Sequence, residues 1–165
     1  MITSNDFREG MARLTGAVNV ITTDGVRGGA GITATAVCSV TDQPPTLLVC
    51  INRSSYCYPF FIDNGVLAVN VLRAGQEDVA QTFANRNLSM PERMARVPTT
   101  VLRTGSPLVE DSLVSFDCRI AAQHDMGSHS VLMCEIVGMR QGAAGDGLVY
   151  FDRSYHGVGQ TEMLV

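Results

Sequence analysis

The length of its apolar runs constrains this chain more than any other feature. They come in strand-sized pieces, over 17–23, 31–39, 46–52, 66–72, 113–121, 130–140 and 147–153, with glycine, proline, asparagine or aspartate close behind each. Runs of about four to eight apolar residues between turn formers are read as strands, because a half-buried helix needs a longer stretch of period 3.6. The run 113–121 also alternates, with Phe116, Cys118 and Ile120 on one face and Ser115, Asp117 and Arg119 on the other. Pro44 and Pro45 cannot donate to a ladder and mark the turn between 31–39 and 46–52.

Helical patterns are few and short. Over 4–14, Ser4 or Asn5 is placed to cap a helix whose Phe7, Met11 and Leu14 share a face, and Gly16 is placed to stop it. A second helix is expected over 54–65, ended by Asn64 and Gly65, and a third over 76–86 with Val79 and Phe83 on one side. The stretch 87–100 reads as irregular. Six or seven strands with helices beside them predict a mainly β fold, a closed barrel with peripheral helices and not a doubly wound sheet. No repeat or linker divides the chain, so a single domain over 1–165 is expected.

Charge narrows the function. Charged residues make up 17% of the chain, against roughly 25% in an ordinary soluble domain, which points to surface hidden in an oligomer. The net charge of -4 argues against a nucleic-acid or anionic-membrane partner, since both need a basic face. No apolar run approaches the ~20 residues of a membrane span, and 5–8 is polar, unlike a secretory leader. Cys38, Cys50, Cys57, Cys118 and Cys134 form no CxxC and no metal spacing with the histidines, so free thiols, no metal and a cytoplasmic location are expected. The chain has no lysine; its cations are all arginine, which suits bidentate phosphate contacts and supplies no Schiff base.

Three places could carry chemistry. Between 31 and 39 nearly every side chain is small or hydroxylated, which would let a flat ligand approach the backbone, with Thr33, Thr35 and Ser39 offering hydroxyls; an edge strand against a neighbouring subunit would look the same. At 52–55, Asn52, Arg53, Ser54 and Ser55 follow a buried strand and could form an anion site or simply cap a helix. At 125–130, a tight loop carries His129; Asp125, Ser128 and His129 lie too close in sequence to align a nucleophile relay. GGAGIT at 28–33 leads into a strand and is not a dinucleotide fingerprint.

Taken in order, GITATAVCSVTDQPPTLLVCIN at 31–52, VNVL at 69–72, QTFANR at 81–86, GSH at 127–129 and YFDRSYH at 150–156 resemble the short-chain flavin reductases of two-component flavin-dependent monooxygenases. The likeness is strongest to the branches serving 4-hydroxyphenylacetate oxygenation and pyrimidine utilisation, and it spans about 7–156. It implies a homodimeric FMN-binding split β-barrel that takes hydride from NADH to FMN or FAD and supplies reduced flavin to an oxygenase. It implies that Thr33, Ala34, Thr35, Ala36, Val37, Cys38 and Ser39 lie along the flavin ring. Asn52, Arg53, Ser54 and Ser55 would hold its phosphate end, and Phe83, Ala84 and Arg86 would close that side. It further implies that His129 is the catalytic residue facing the nicotinamide, with Tyr150, Phe151, Asp152, Arg153, Tyr155 and His156 along the NADH path. FANR stands where the family more often has FAG, and Ser128 where Asp or Thr is commoner. Two other readings follow from the same barrel, a corrin reductase and a flavin-binding module without NADH activity; a thiol or metal enzyme using Cys57 or Cys134 with a histidine is a third.

Overall fold

The structure, a computed structural model, describes residues 1–159; residues 160–165 of the expected single domain lie outside them. The chain opens with helix α1 (Ser4–Ala12), then β1 (Gly16–Ala17), β2 (Asn19–Thr23), β3 (Ala30–Ala34), β4 (Val37–Asp42) and β5 (Pro45–Asn52). Helix α2 (Tyr58–Asn64) leads to β6 (Val66–Val71), followed by α3 (Glu77–Ala84), α4 (Met90–Arg96) and the short pair β7 (Thr99–Thr100) and β8 (Leu108–Val109). The long strands β9 (Val114–Met126) and β10 (His129–Gln141) precede the hairpin β11 (Gly147–Phe151) and β12 (Ser154–Val158).

Seven strands form one antiparallel sheet in the order β3-β2-β6-β9-β10-β5-β4. The two edges, β3 and β4, are consecutive in the chain and joined by Thr35 and Ala36 alone. Laid flat, seven strands at about 4.8 Å would hold their edges about 29 Å apart. Two linking residues reach roughly 11 Å at full stretch. The sheet must therefore roll up, and the expected barrel follows from topology. It is split where β3 and β4 meet without pairing.

Inside the barrel, Ile21, Val49, Ile51, Phe61, Leu67, Val69, Leu132 and Cys134 pack into one core. A second core, around Val18, Val20, Leu72, Ala80, Phe83 and Leu148, lies between the barrel, α3 and the three-stranded sheet β1-β11-β12. Of the expected polar face of 113–121 only Arg119 is exposed. Asp117 is fully buried, its carboxylate accepting from the Arg103 and Thr104 N–H groups at 2.7 and 2.9 Å and from the Thr104 hydroxyl. Ser115 is buried too, donating to Asn70 Oδ1 at 2.8 Å, which also accepts from the Val109 N–H. The segment 97–112 covers Ser115 and Asp117, so these two polar residues serve as anchors.

Several boundaries differ from the sequence expectation: α1 ends at Ala12 before Gly16, α2 starts only at Tyr58, β9 runs on to Met126, and β12 is an added strand. The N-cap of α1 is Thr3, which forms a reciprocal box with Asp6; the hydrogen-bonded carboxylate of Asp6 sits below its usual range because it accepts from the Thr3 backbone and hydroxyl. The stretch 87–100 contains α4, started by the same device between Ser89 and Glu92 with Pro91 in the first turn. The run 31–39 is two strands, broken at Thr35 and Ala36 and sent to opposite edges of the sheet. The C-terminus of α2 is as expected, with Gly65 at φ 68° donating to the Phe61 carbonyl. No helix among the described residues is long and apolar enough to cross a membrane.

Candidate functional site

A cleft of about 870 Å³ opens beside β3, between the 52–57 turn below and α3 and α4 above. That is within the usual size of a small-molecule site. Its first wall is Ile32, Thr33 and Ala34 of β3. The structure shows why this strand is slim. A Cβ on Gly31 would fall 2.5 Å from Cε1 of Phe83, whose ring is 1% exposed and lies directly on the strand. The Thr33 hydroxyl donates to the Ala80 carbonyl of α3 at 2.6 Å. Farther on, Gly16 of β1 passes over Thr35, where an added Cβ would meet the Thr35 Cβ at 3.0 Å. Small side chains here let a helix and a strand pack close, and the strand runs out into the exposed residues Thr35 and Ala36.

The floor is a tight turn. Asn52 Oδ1 accepts from the Ser54 N–H at 2.9 Å and the Ser54 hydroxyl at 2.8 Å, and Ser55 Oγ accepts from the Cys57 N–H at 3.3 Å. Asn52, Ser54 and Ser55 line the cleft. Arg53 does not. Its guanidinium runs to the β9–β10 hairpin, where Nη1 donates to Asp125 Oδ2 at 2.9 Å and Nη2 donates to the Gly127 carbonyl. The cleft takes its cations from above instead. Arg93 is engaged, donating to the Leu88 and Phe83 carbonyls at 3.1 and 3.2 Å. Arg86 is exposed and makes no hydrogen bond or ion pair with the described residues.

Phe83 and Ala84 close the same side. Sequence reasoning missed Tyr56, Leu88, Ser89, Met90 and Arg93 as lining residues, and the Ser89–Glu92 spacing was the available signal, since it turns 88–93 inward. Cys50 and Cys57 also line the cleft; burial pushes both thiols up, so neither is set to be a thiolate nucleophile. Cys134 lies in the barrel core, its thiol pushed up by burial to about 12. Among the described residues no group of three His, Cys, Asp or Glu is placed to hold a metal ion.

His129 reaches the cleft from the opposite wall. It is the first residue of β10, facing Asn52 across one ladder and Met126 across the other, so the turn consists of Gly127 (φ 56°) and Ser128 alone. A glycine at the first central position suits a two-residue hairpin. Ser128 Oγ lies 2.9 Å from His129 Nδ1.

The remaining expected residues lie outside the cleft wall. Val37, Cys38 and Ser39 sit on β4, the last two exposed. Tyr150, Phe151, Asp152, Arg153, Tyr155 and His156 belong to the β11–β12 hairpin. Its tip, Asp152 and Arg153 at φ 45° and 62°, is docked on α1: the Asp152 N–H donates to the Ala12 carbonyl at 2.7 Å and Arg153 pairs with Glu9 at 2.6 Å. Tyr150 and Tyr155 meet edge to face at 5.3 Å, and His156 Nε2 is 3.2 Å from the Phe151 carbonyl. This sheet touches the Thr35 link through Gly16, which pairs with Tyr150.

Residues 11–159 match the family described as flavin reductase like domain. The FMN reductase (NADH) RutF of Stutzerimonas stutzeri is 49% identical over 156 residues, covering 94% of this chain and 89% of that one. A Haemophilus somnus protein, solved as a candidate flavin reductase, superposes with a TM-score of 0.92 at 46% identity, covering 95% of this chain and all of that one. BorF, the flavin reductase component of a bacterial two-component tryptophan halogenase, gives a TM-score of 0.89 at 27% identity, covering 96% of this chain and 100% of its own.

Proposed function

The chain belongs to the flavin reductase-like family, and from that premise we propose that it passes hydride from NADH to FMN bound in the β3 cleft and releases reduced flavin to an oxygenase partner. The observation that carries this reading is the cleft itself: an apolar strand wall on one side, and hydroxyls with an unengaged guanidinium on the other. A flat ring bearing a phosphorylated chain fits that gradient. Ile32 and Ala34 would lie along the ring, and Phe83 would back them. Asn52, Ser54, Ser55 and Arg86 would hold the phosphate end, with Arg86 as its charge partner. Bound flavin supplies the hydride-accepting chemistry. The protein supplies placement: β3 and α4 exclude water from one side, and His129 presents a polar ring atom to the nicotinamide. Ring residues of the β11–β12 hairpin would flank the dinucleotide beyond Thr35.

Anaerobic mixing with FMN and NADH tests the reading, and bleaching of the flavin band is the expected result. His129→Ala should lower kcat/KM for NADH about 2- to 30-fold, as loss of one polar contact of about 0.5–2 kcal/mol implies, with FMN affinity unchanged. His124, exposed on β9, should tolerate alanine. Flavin that binds but keeps its colour under NADH would sink the proposal.

The same reading includes a second copy of the chain. Phe7 and Met11 of α1 and Leu14 just beyond its end are 59%, 45% and 65% exposed, an apolar patch left uncovered by the described residues, and the edge strand β4 is exposed along most of its length. Sedimentation at micromolar protein should give a dimer; an active monomer would refute this part.

A further inference from the structure

We infer that the Arg53–Asp125 pair is a positioning device for His129, aiming its ring into the cleft through the hairpin turn; this rests on the proposed role of His129 toward NADH.

Arg53 commits both its guanidinium and its backbone N–H to one turn. Its guanidinium donates to Asp125 on the last stretch of β9 and to the Gly127 carbonyl, and its own N–H donates to the Ser128 carbonyl at 2.9 Å. Three contacts from one residue thus hold three successive parts of the segment leading into His129. Ser128 then lies 2.9 Å from the His129 ring. Any rocking of the turn would carry the imidazole with it.

Asp125 is fixed in turn from inside the barrel wall. Its Oδ1 accepts from the Ser130 hydroxyl at 2.6 Å and from Gln123 Nε2 at 2.9 Å. Ser130 is fully buried. Its single proton is spent on Asp125, so at 2.9 Å the Tyr58 hydroxyl must be the donor to Ser130 Oγ. Tyr58 in turn accepts from Gln123 Nε2 at 2.9 Å. Every proton in the chain from Gln123 through Tyr58 and Ser130 to Asp125 has one direction, and Arg53 closes it. The hydroxyl of Ser130 and the amide of Gln123, ahead of Arg53, hold the Asp125 carboxyl below its usual range, so the network stays charged at neutral pH and dissolves only as pH falls through that lowered value.

Stability alone does not explain this arrangement. The two side chains of the pair are 40% and 48% exposed, and an ion pair so wet contributes little to folding. What it can do is hold geometry, since a guanidinium fork fixes orientation as well as distance. Ser128 beside the ring is neutral; the charge sits on Asp125, reaching the turn through Arg53.

The test is Asp125→Ala and Arg53→Ala in two backgrounds, read by anaerobic stopped-flow of the FMN-loaded protein with NADH. Each should slow flavin reduction about 2- to 10-fold, the range expected for one lost hydrogen-bonded support. The double variant should be no slower than the worse single one. In the His129→Ala background both should be silent, and FMN affinity should stay unchanged throughout. Equal slowing with and without His129, or no slowing with it, overturns the inference. A selective loss of FMN relative to riboflavin in Arg53→Ala overturns it too, because Arg53 would then be a phosphate ligand. If His129→Ala itself leaves NADH kinetics untouched, the functional reading has failed, and the positioning claim is decided separately by imidazole-ring NMR. Asp125→Ala should shift and broaden the His129 ring signals while sparing His156. Unchanged His129 signals would end the claim.

Discussion

Phe83→Ala is expected to destabilise the fold by about 3–5 kcal/mol, the usual cost of emptying a buried aromatic site. At about 2–4 °C per kcal/mol for a domain of this size, thermal unfolding should begin roughly 6–20 °C lower. Phe83 is 1% exposed, belongs to the second core and closes the cleft, so its ring supports both packing and site. The companion variant gives this prediction its specificity. In the native background Gly31→Ala puts a methyl 2.5 Å from the ring and should cost about 1–3 kcal/mol by overpacking. Without the ring, the same methyl enters vacated space, and the double variant should be at least as stable as Phe83→Ala alone. Calorimetry on the four proteins measures the coupling. Losses that simply add would mean that something other than Phe83 keeps residue 31 a glycine.

Arg86→Ala should weaken FMN about 10- to 150-fold while leaving riboflavin nearly unchanged. The range corresponds to a charge-assisted phosphate contact of about 1.5–3 kcal/mol. Arg86 is the guanidinium in the cleft that the protein leaves unengaged, whereas Arg93 is tied to the Leu88 and Phe83 carbonyls and Arg53 to the hairpin. Fluorescence titrations with the two flavins read the ratio directly. Equal losses for both ligands would place the phosphate elsewhere.

Legibility in the sequence follows how local each determinant is. The strands of the barrel were readable because their turns are marked by glycine and proline and their apolar residues sit at strand spacing. The far end of β9 was not. Over 121–126 every residue is exposed and no face is apolar, so that part is held as strand by its hairpin partner and carries no pattern of its own. Helix α4 could have been found, since Ser89 and Glu92 make a reciprocal cap that is written in four letters. Arg53 shows the opposite limit. An arginine beside two serines is a sound reason to expect an anion site, but its direction is decided by Asp125, 72 residues away. The small side chains of the slim strand stand out in the sequence, yet what presses on them, Phe83 at Gly31 and Gly16 at Thr35, belongs to other elements. The cleft residues on β3 and at 52–55 were placed by resemblance as much as by chemistry.

The pairing of β5 with β10 has a consequence during synthesis. β4 and β5 are neighbours in sequence and can zip as soon as both have left the ribosome. Their other partner has not yet been made: Val49 and Ile51 lie opposite Leu132 and Ser130, about 80 residues later in the chain. At roughly 5–20 residues per second, the nascent hairpin waits about 4–16 s with its inner edge unpaired. Its apolar residues, Leu47, Val49 and Ile51, are those that end fully covered in the barrel. The order of the strands, more than the strength of the finished core, sets how long a growing chain is open to misassembly.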